Sequence, residues 1–344
     1  MPPLYDAVRD LPLGIDEIAF ESASLAISPE FTRKTTTIVL RGGGAEGRGE
    51  DVTYAPEEHD LDRYPRPEVR GDWTLDAFSK LVGDADLFPA GAPDQEAYRD
   101  YRRWAFESAA LDLALQQSNL SLGDVLEREY HPVRFVSSTR SQSLDAWLAL
   151  YPDLRFKLDP TPEWTGEFIV ELARKSCVDT LDLKGQYRGT VDDNPPDQEL
   201  YARVVADFPQ AWIEDPALTP ETRPVLGHHH DRITWDAPIH SWADVEALDF
   251  PPSCLNSKPS RFGSVARLFD FYDHCEVHGI SLYGGGQFEL GVGRGQIQLL
   301  ASLFHPAGPN DVAPGGYNAP EPQPGLETSP LEPRPEAVGF RRAA

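Results

Sequence analysis

The chain has 344 residues, 56 of them acidic against 31 basic, and its net charge of −25 opposes nucleic acid and anionic membranes as partners. Its 40% hydrophobic content supports a sizeable core. No apolar run reaches the roughly 18 residues of a helical membrane span. No basic segment leads into an apolar one at the N-terminus, so no secretory leader is expected. Cys177, Cys254 and Cys275, odd in number and widely spaced, read as buried free thiols of a cytoplasmic protein.

Three β-rich segments come first. Ile15–Phe20 and the β-branched Lys34–Leu40 are followed, across the turn Gly42-Gly43-Gly44, by Gly47–Tyr54. A polar loop spans Ala55–Arg70. Thr74 is an N-cap for a helix to Val82, and Tyr98–Gln117 carries Trp104, Ala105, Ala109, Leu111, Leu113 and Ala114 at the spacing of a buried helix. Strands followed by helices make an α+β capping domain over residues 1–130.

From Arg134 the pattern alternates. Strand Arg134–Ser138 precedes helix Leu144–Leu150, Leu154–Leu158 precedes Gly166–Lys175, and Val178–Leu183 precedes Asp197–Phe208. Ala211–Glu214 leads to a short helical stretch, Arg232–Trp235 to Trp242–Leu248, Ser253–Lys258 to Gly263–His278, and Ile280–Tyr283 to Arg294–Phe304. Seven strand–helix units imply a closed parallel sheet, a (β/α)7β barrel over residues 131–312. The Pro- and Gly-rich residues 313–344 carry Leu326, Leu331, Val338 and Phe340, and are expected to pack back on the cap.

The chemistry collects at strand ends. Asp182, Glu214 and Asp236 each close a buried strand, where an unpaired charge is costly, and three carboxylates on successive strands suit a hard cation, Mg²⁺. The steps from Glu214 to Asp236 and from Asp236 to Lys258 are equal in length, one strand–helix unit each. Lys258 ends the sixth strand and Lys157 the second. The period of two puts Arg155 on the face of Lys157 and turns Asp215 away from that of Glu214. The rival reading of Lys157 is an ion-paired lysine beside Asp153 or Asp159.

These ligands, lysines and spacings resemble the enolase superfamily, in its muconate-lactonising-enzyme and o-succinylbenzoate-synthase branch. Phe106–Ala114 resembles its cap helix leading into the barrel. Trp212-Ile213-Glu214-Asp215-Pro216 resembles the segment of its second metal ligand, and Ser257-Lys258-Pro259-Ser260 with Gly263 its base-bearing strand end. Gly285–Arg294 resembles its seventh strand end and following helix. The resemblance implies a Mg²⁺-dependent lyase or isomerase that takes the α-proton of a small carboxylate substrate through an enediolate. Racemisation or epimerisation, cycloisomerisation and o-succinylbenzoate-forming elimination all stay open, as does a homo-oligomer. Lys157 and Lys258 would be the acid–base pair, Asp182, Glu214 and Asp236 the metal ligands, and Arg155, Lys184, Asp215 and Glu289 substrate-binding or supporting groups. Two departures stand out: Arg155 replaces the first lysine of a usual Lys-x-Lys, and Lys184 replaces the asparagine of Asp-x-Asn.

Two other readings are weighed. A sugar-acid dehydratase of the same superfamily would use a late His–Asp dyad, yet no histidine ends the seventh strand. A barrel that binds metal or ligand without catalysis is kept open by Arg155 and Lys184. Gly291-Val292-Gly293-Arg294-Gly295 lacks the context of a dinucleotide loop, and His228-His229-His230 reads as a solvated connection. Substrate selectivity is expected in cap loops 23–31 and 51–68.

Overall fold

The structure is a computed structural model and describes residues 2–27, 31–139, 144–187, 193–319 and 321–343. Five strands build the N-terminal part: β1 (Pro12–Ile15), β2 (Glu17–Ala26), β3 (Thr32–Gly42), β4 (Ala45–Asp51) and β5 (Gly71–Thr74). β2, β3 and β4 form an antiparallel sheet, and β1 pairs with β5. Residues 23–26, expected in a loop, continue β2 through ladder bonds to Thr32–Thr35; residues 28–30 of that loop lie outside the described residues.

Helix α1 (Leu75–Asp84) starts where the Thr74 hydroxyl accepts the Ala77 amide at 3.2 Å. The long α2 (Ala97–Ser118) lies against β4 so closely that side chains at Gly47 and Gly49 would strike the Ala109 and Ala105 carbonyls. Glycine in the strand and alanine on the helix are what this approach requires. α3 (Leu122–Leu126), not foreseen in the sequence, opens on a reciprocal capping box between Ser121 and Asp124.

The remainder alternates: β6 (Ser137–Thr139), α4 (Asp145–Leu150), β7 (Phe156–Leu158), α5 (Gly166–Lys175), β8 (Val178–Asp182), α6 (Gln198–Asp207), β9 (Trp212–Glu214), α7 (Arg223–Leu226), β10 (Ile233–Trp235), α8 (Trp242–Glu246), β11 (Cys254–Ser257), α9 (Pro259–Phe262), α10 (Val265–His278), β12 (Ser281–Gly284) and α11 (Val292–Phe304). The seven strands form one parallel sheet in chain order from β6 to β12. Single parallel bridges join its edges through one short segment, Gly285 to Asp311 and Asn310 to Phe135. The result is an α/β barrel beside an antiparallel-sheet domain. β6 is shorter than its apolar run suggests because Val133 bridges to Leu331 and Phe135 to Asn310 instead.

The C-terminal segment runs over both parts. Leu331 pairs with Val133, Gly339 with Ser121, and the Phe340 amide donates to Asp112 of α2 at 2.7 Å while its ring is fully buried. Burying such a ring contributes about 2–3 kcal/mol.

Arg33 and Glu50 are among the residues that fix the N-terminal part on the barrel. The buried Arg33 donates to the carbonyls of Val52, Thr53, Gln287 and Phe288. Glu50 of β4 accepts the amides of Leu290, Gly291 and Gly293, so a carboxylate from the cap already fills the N-terminus of α11. The glycine-rich stretch at 291–295 is thus a docking point.

Candidate active site

Five adjacent strands, β7 to β11, carry or lead directly into Lys157, Asp182, Glu214, Asp236 and Lys258, in that spatial order. All five side chains are buried. Lys157 Nζ lies 2.5 Å from Glu214 Oε1 and 3.2 Å from Asp182 Oδ2, while Lys258 Nζ lies 2.7 Å from Asp236 Oδ2. The two lysines therefore bracket three carboxylate-bearing strands. Tyr283 of β12 donates to Glu214 Oε2 at 2.6 Å.

Asp215 joins this group, contrary to the alternation read from the sequence. The strand ends at Glu214, and Asp215 has φ +50°, which turns its side chain back. Oxygens of Asp182, Glu214 and Asp215 lie within 4.8 Å of one another. Both Asp215 oxygens are nevertheless engaged, accepting the amides of Asp236 and Ala237 at 2.9 Å each. Asp236 sits one strand along and also meets Arg261 and the Tyr187 hydroxyl. Its Oδ1 is buried and accepts no hydrogen bond among the described residues.

Arg155 does not reach this cluster. Arg155 lies before the start of β7, and the β7–β8 register slips beside it, leaving Asp179 as the extra residue of β8. Arg155 instead pairs with Asp179 at 2.5 Å and with the Ser176 carbonyl, at the N-terminal end of β8, where Arg134 also meets Asp179. Lys184 does reach it, contacting Asp182 directly. Glu289 stays in the loop after β12, accepting the Gln287 amide at 2.7 Å with Arg294 at 3.6 Å.

The electrostatics follow from burial. Burial pushes the Glu214 carboxyl up, opposed by Lys157 and reinforced by Asp182, Asp236 and Asp215. Asp215 is raised by burial and then by Asp236 and Asp182. Asp182 goes the other way, to about 2, because Lys184 and Lys157 outweigh its burial. Burial alone would lower Lys157, but Glu214 and Asp182 hold it well above the ordinary lysine range. Held by these carboxylates, Lys157 is an ammonium.

The residues fit a hard divalent ion. All converging donors are carboxylate oxygens, they are fully buried, and Asp236 Oδ1 accepts no hydrogen bond among the described residues, with Arg261 Nε standing off at 3.4 Å. Gly285 leaves the space that Lys258 occupies: a side chain there would come within 2.8 Å of Lys258 Cε. Tyr187, Arg261 and Tyr283 went unread in the sequence. Tyr283, on the last strand of the sheet, carried the one signal, a polar aromatic at a buried strand end. The histidines at 228–230 stay apart, His230 stacking on Phe250 and His229 meeting Arg232.

The family described as "Domain of unknown function (DUF8230)" matches through its N-terminal domain at residues 6–125 and its C-terminal domain at 129–319. An o-succinylbenzoate synthase of Bacillus subtilis (strain 168) is 30% identical over 256 residues, covering 68% of this chain and 65% of that protein. An N-succinylamino acid racemase of Amycolatopsis sp is 30% identical over 177 residues, 48% of this chain and 44% of the racemase. The chain thus spans less than two thirds of either relative. The dipeptide epimerase from Methylococcus capsulatus, solved with a Mg ion, superposes with a TM-score of 0.69 over 96% of this chain and all of that one. At 18% identity this likeness concerns the fold.

Proposed function

The chain belongs to the DUF8230 family and, with its relatives, to the enolase superfamily, a premise from which we propose that it is a Mg²⁺-dependent enzyme that removes the α-proton of a small carboxylate substrate. The observation that carries this reading is the spatial order Lys157, Asp182, Glu214, Asp236, Lys258 on five adjacent strands. In this reading residues 1–130 are the cap, 131–312 a (β/α)7β barrel closed by the bridges at Asn310 and Asp311, and 313–344 the tail.

Asp182, Glu214 and Asp236 are the proposed ligands. Asp215 lies nearer to the first two than Asp236 does, but its oxygens are committed to the amides of Asp236 and Ala237, which suits orienting Asp236. When bound, the ion supplies positive charge opposite the substrate carboxylate, where negative charge grows as the proton leaves. With Asp182 and Glu214 engaged as ligands, Lys157 Nζ would lose the two carboxylates that hold its charge, and once its own proton had left to solvent the neutral amine could accept the substrate's. Lys258 stands on the far side of the carboxylates, as acid, base or fixed cation. Two exchanging lysines give racemisation or epimerisation; one base and one cation give elimination or cycloisomerisation.

The test is α-proton exchange in D₂O with added Mg²⁺, across N-acyl amino acids, dipeptides and succinylbenzoate precursors. Metal-dependent deuterium uptake into one class supports the reading. Metal binding with no exchange in any class would leave a barrel that binds without catalysis.

A further inference from the structure

Asp182 faces two ammonium groups, and only one of them has another place to go. Lys157 lies 3.2 Å from it, but its other partner, Glu214, is itself a proposed metal ligand. Lys184, two residues beyond Asp182, has φ +56°, and this left-handed turn folds the chain back so that its amide donates to Asp182 Oδ1 at 3.2 Å and its Nζ meets Oδ2. The same Nζ lies 3.8 Å from Asp159 Oδ1 and 5.0 Å from the centre of the Tyr187 ring. An acid and an aromatic ring already beside this ammonium can hold it if Asp182 is taken from it.

We propose that Lys184 is a resident ammonium that competes with the divalent ion for Asp182 and moves toward Asp159 and Tyr187 when the ion binds. This rests on the metal reading above and adds to it a built-in limit on affinity. An ammonium and a divalent ion cannot share Oδ2 without strong repulsion, so each binding event must first break the Lys184–Asp182 contact. In exchange, the carboxylate cluster is held together without metal. The metal-free protein keeps its buried charges paired, and the ion binds reversibly instead of being required to build the site.

The experiment is calorimetric titration of the full chain with Mg²⁺ and with Mn²⁺, alongside thermal unfolding of the chelator-treated protein. Lys184→Gln binds either ion more tightly, on the order of tenfold, and its metal-free form melts lower than the wild type. Lys184→Arg, which keeps the charge, stays near the wild type. Asp159→Asn removes the alternative partner and binds metal more weakly, an opposite shift that general loosening of the fold does not predict for the pair. Equal or weaker binding by Lys184→Gln, with wild-type binding abolished by Glu214→Gln, overturns the competition and leaves the metal site standing. If neither wild type nor Lys184→Gln binds either ion, the metal site fails and the competition fails with it.

Discussion

Replacing Asp51 by asparagine should destabilise the protein through a cation that stays behind. Asp51 is fully buried at the end of β4 and accepts the Thr53 amide at 3.0 Å, the Thr53 hydroxyl at 2.7 Å, the Tyr64 hydroxyl at 2.7 Å and Arg102 Nε at 2.9 Å. Asparagine can keep the Thr53 donors on its one oxygen, but it turns an NH2 toward the Tyr64 hydroxyl and leaves Arg102, only 1% exposed, without its buried counter-charge. Breaking a buried pair in this way costs about 3–5 kcal/mol. The lower end applies here, because Glu58 still reaches Arg102 at 3.2 Å. Urea unfolding at neutral pH should lose about 3 kcal/mol in Asp51→Asn and regain most of it in Asp51→Asn/Arg102→Met. Burial alone would raise the Asp51 carboxyl, but Arg102 and His59 hold it well below the ordinary range. A depressed carboxyl stabilises above its unfolded pKa of about 3.9 and loses that contribution as pH falls through its lower folded value. The gap between wild type and variant should therefore close on acidification below about pH 4. A loss under about 1 kcal/mol, or a double variant no more stable than the single one, would refute this account.

Other outcomes follow from the site and its supports. Tyr283→Phe removes the hydroxyl that holds Glu214 Oε2 and should weaken Mg²⁺ binding by about 10–100-fold in calorimetry, with the fold retained. Mg²⁺ affinity should rise with pH through the neutral range, because the raised carboxyl of Glu214 must give up its proton before the ion binds; a flat pH profile would contradict this. If both lysines exchange protons, Lys258→Ala should lose deuterium uptake for one substrate enantiomer and Lys157→Ala for the other, by at least about 100-fold. Loss of all uptake in Lys157→Ala, with only weakened activity in Lys258→Ala, would mark one-base chemistry. Glu50→Gln should cost about 1–2 kcal/mol and speed hydrogen exchange at the amides of Leu290, Gly291 and Gly293.

The sequence exposes what local pattern controls. A buried β-strand ending at a charged residue, with equal steps from Glu214 to Asp236 to Lys258, was enough to single out Asp182, Glu214, Asp236 and Lys258 as candidates, and the structure sets them at the ends of four adjacent strands. Reading failed where one residue breaks the alternation. Asp179, the extra residue that the register slip leaves in β8, holds Arg155 away from the cluster, and the positive φ of Asp215 brings its carboxylate in. Nothing in a one-dimensional pattern marks either event. Tyr187 and Arg261 were out of reach for another reason. They meet Asp236 from loop and helix positions set by the closed sheet, not by their own neighbours in sequence.

Arg33 reaches the two sides of the junction only through main-chain oxygens, those of Val52 and Thr53 in the cap and of Gln287 and Phe288 after the last strand. Carbonyls are present whatever side chain a residue carries. The Arg33 share of this docking therefore does not read the side chains of those four residues, although Thr53 and Gln287 use theirs elsewhere, on Asp51 and on the Tyr101 hydroxyl. Segments bordering the mouth of a site are where changes of selectivity accumulate, and a change of side chain here leaves the Arg33 bonds in place. Arg33→Met, which removes all four bonds, should therefore lower the melting temperature more than Phe288→Tyr, which keeps the carbonyl that Arg33 meets.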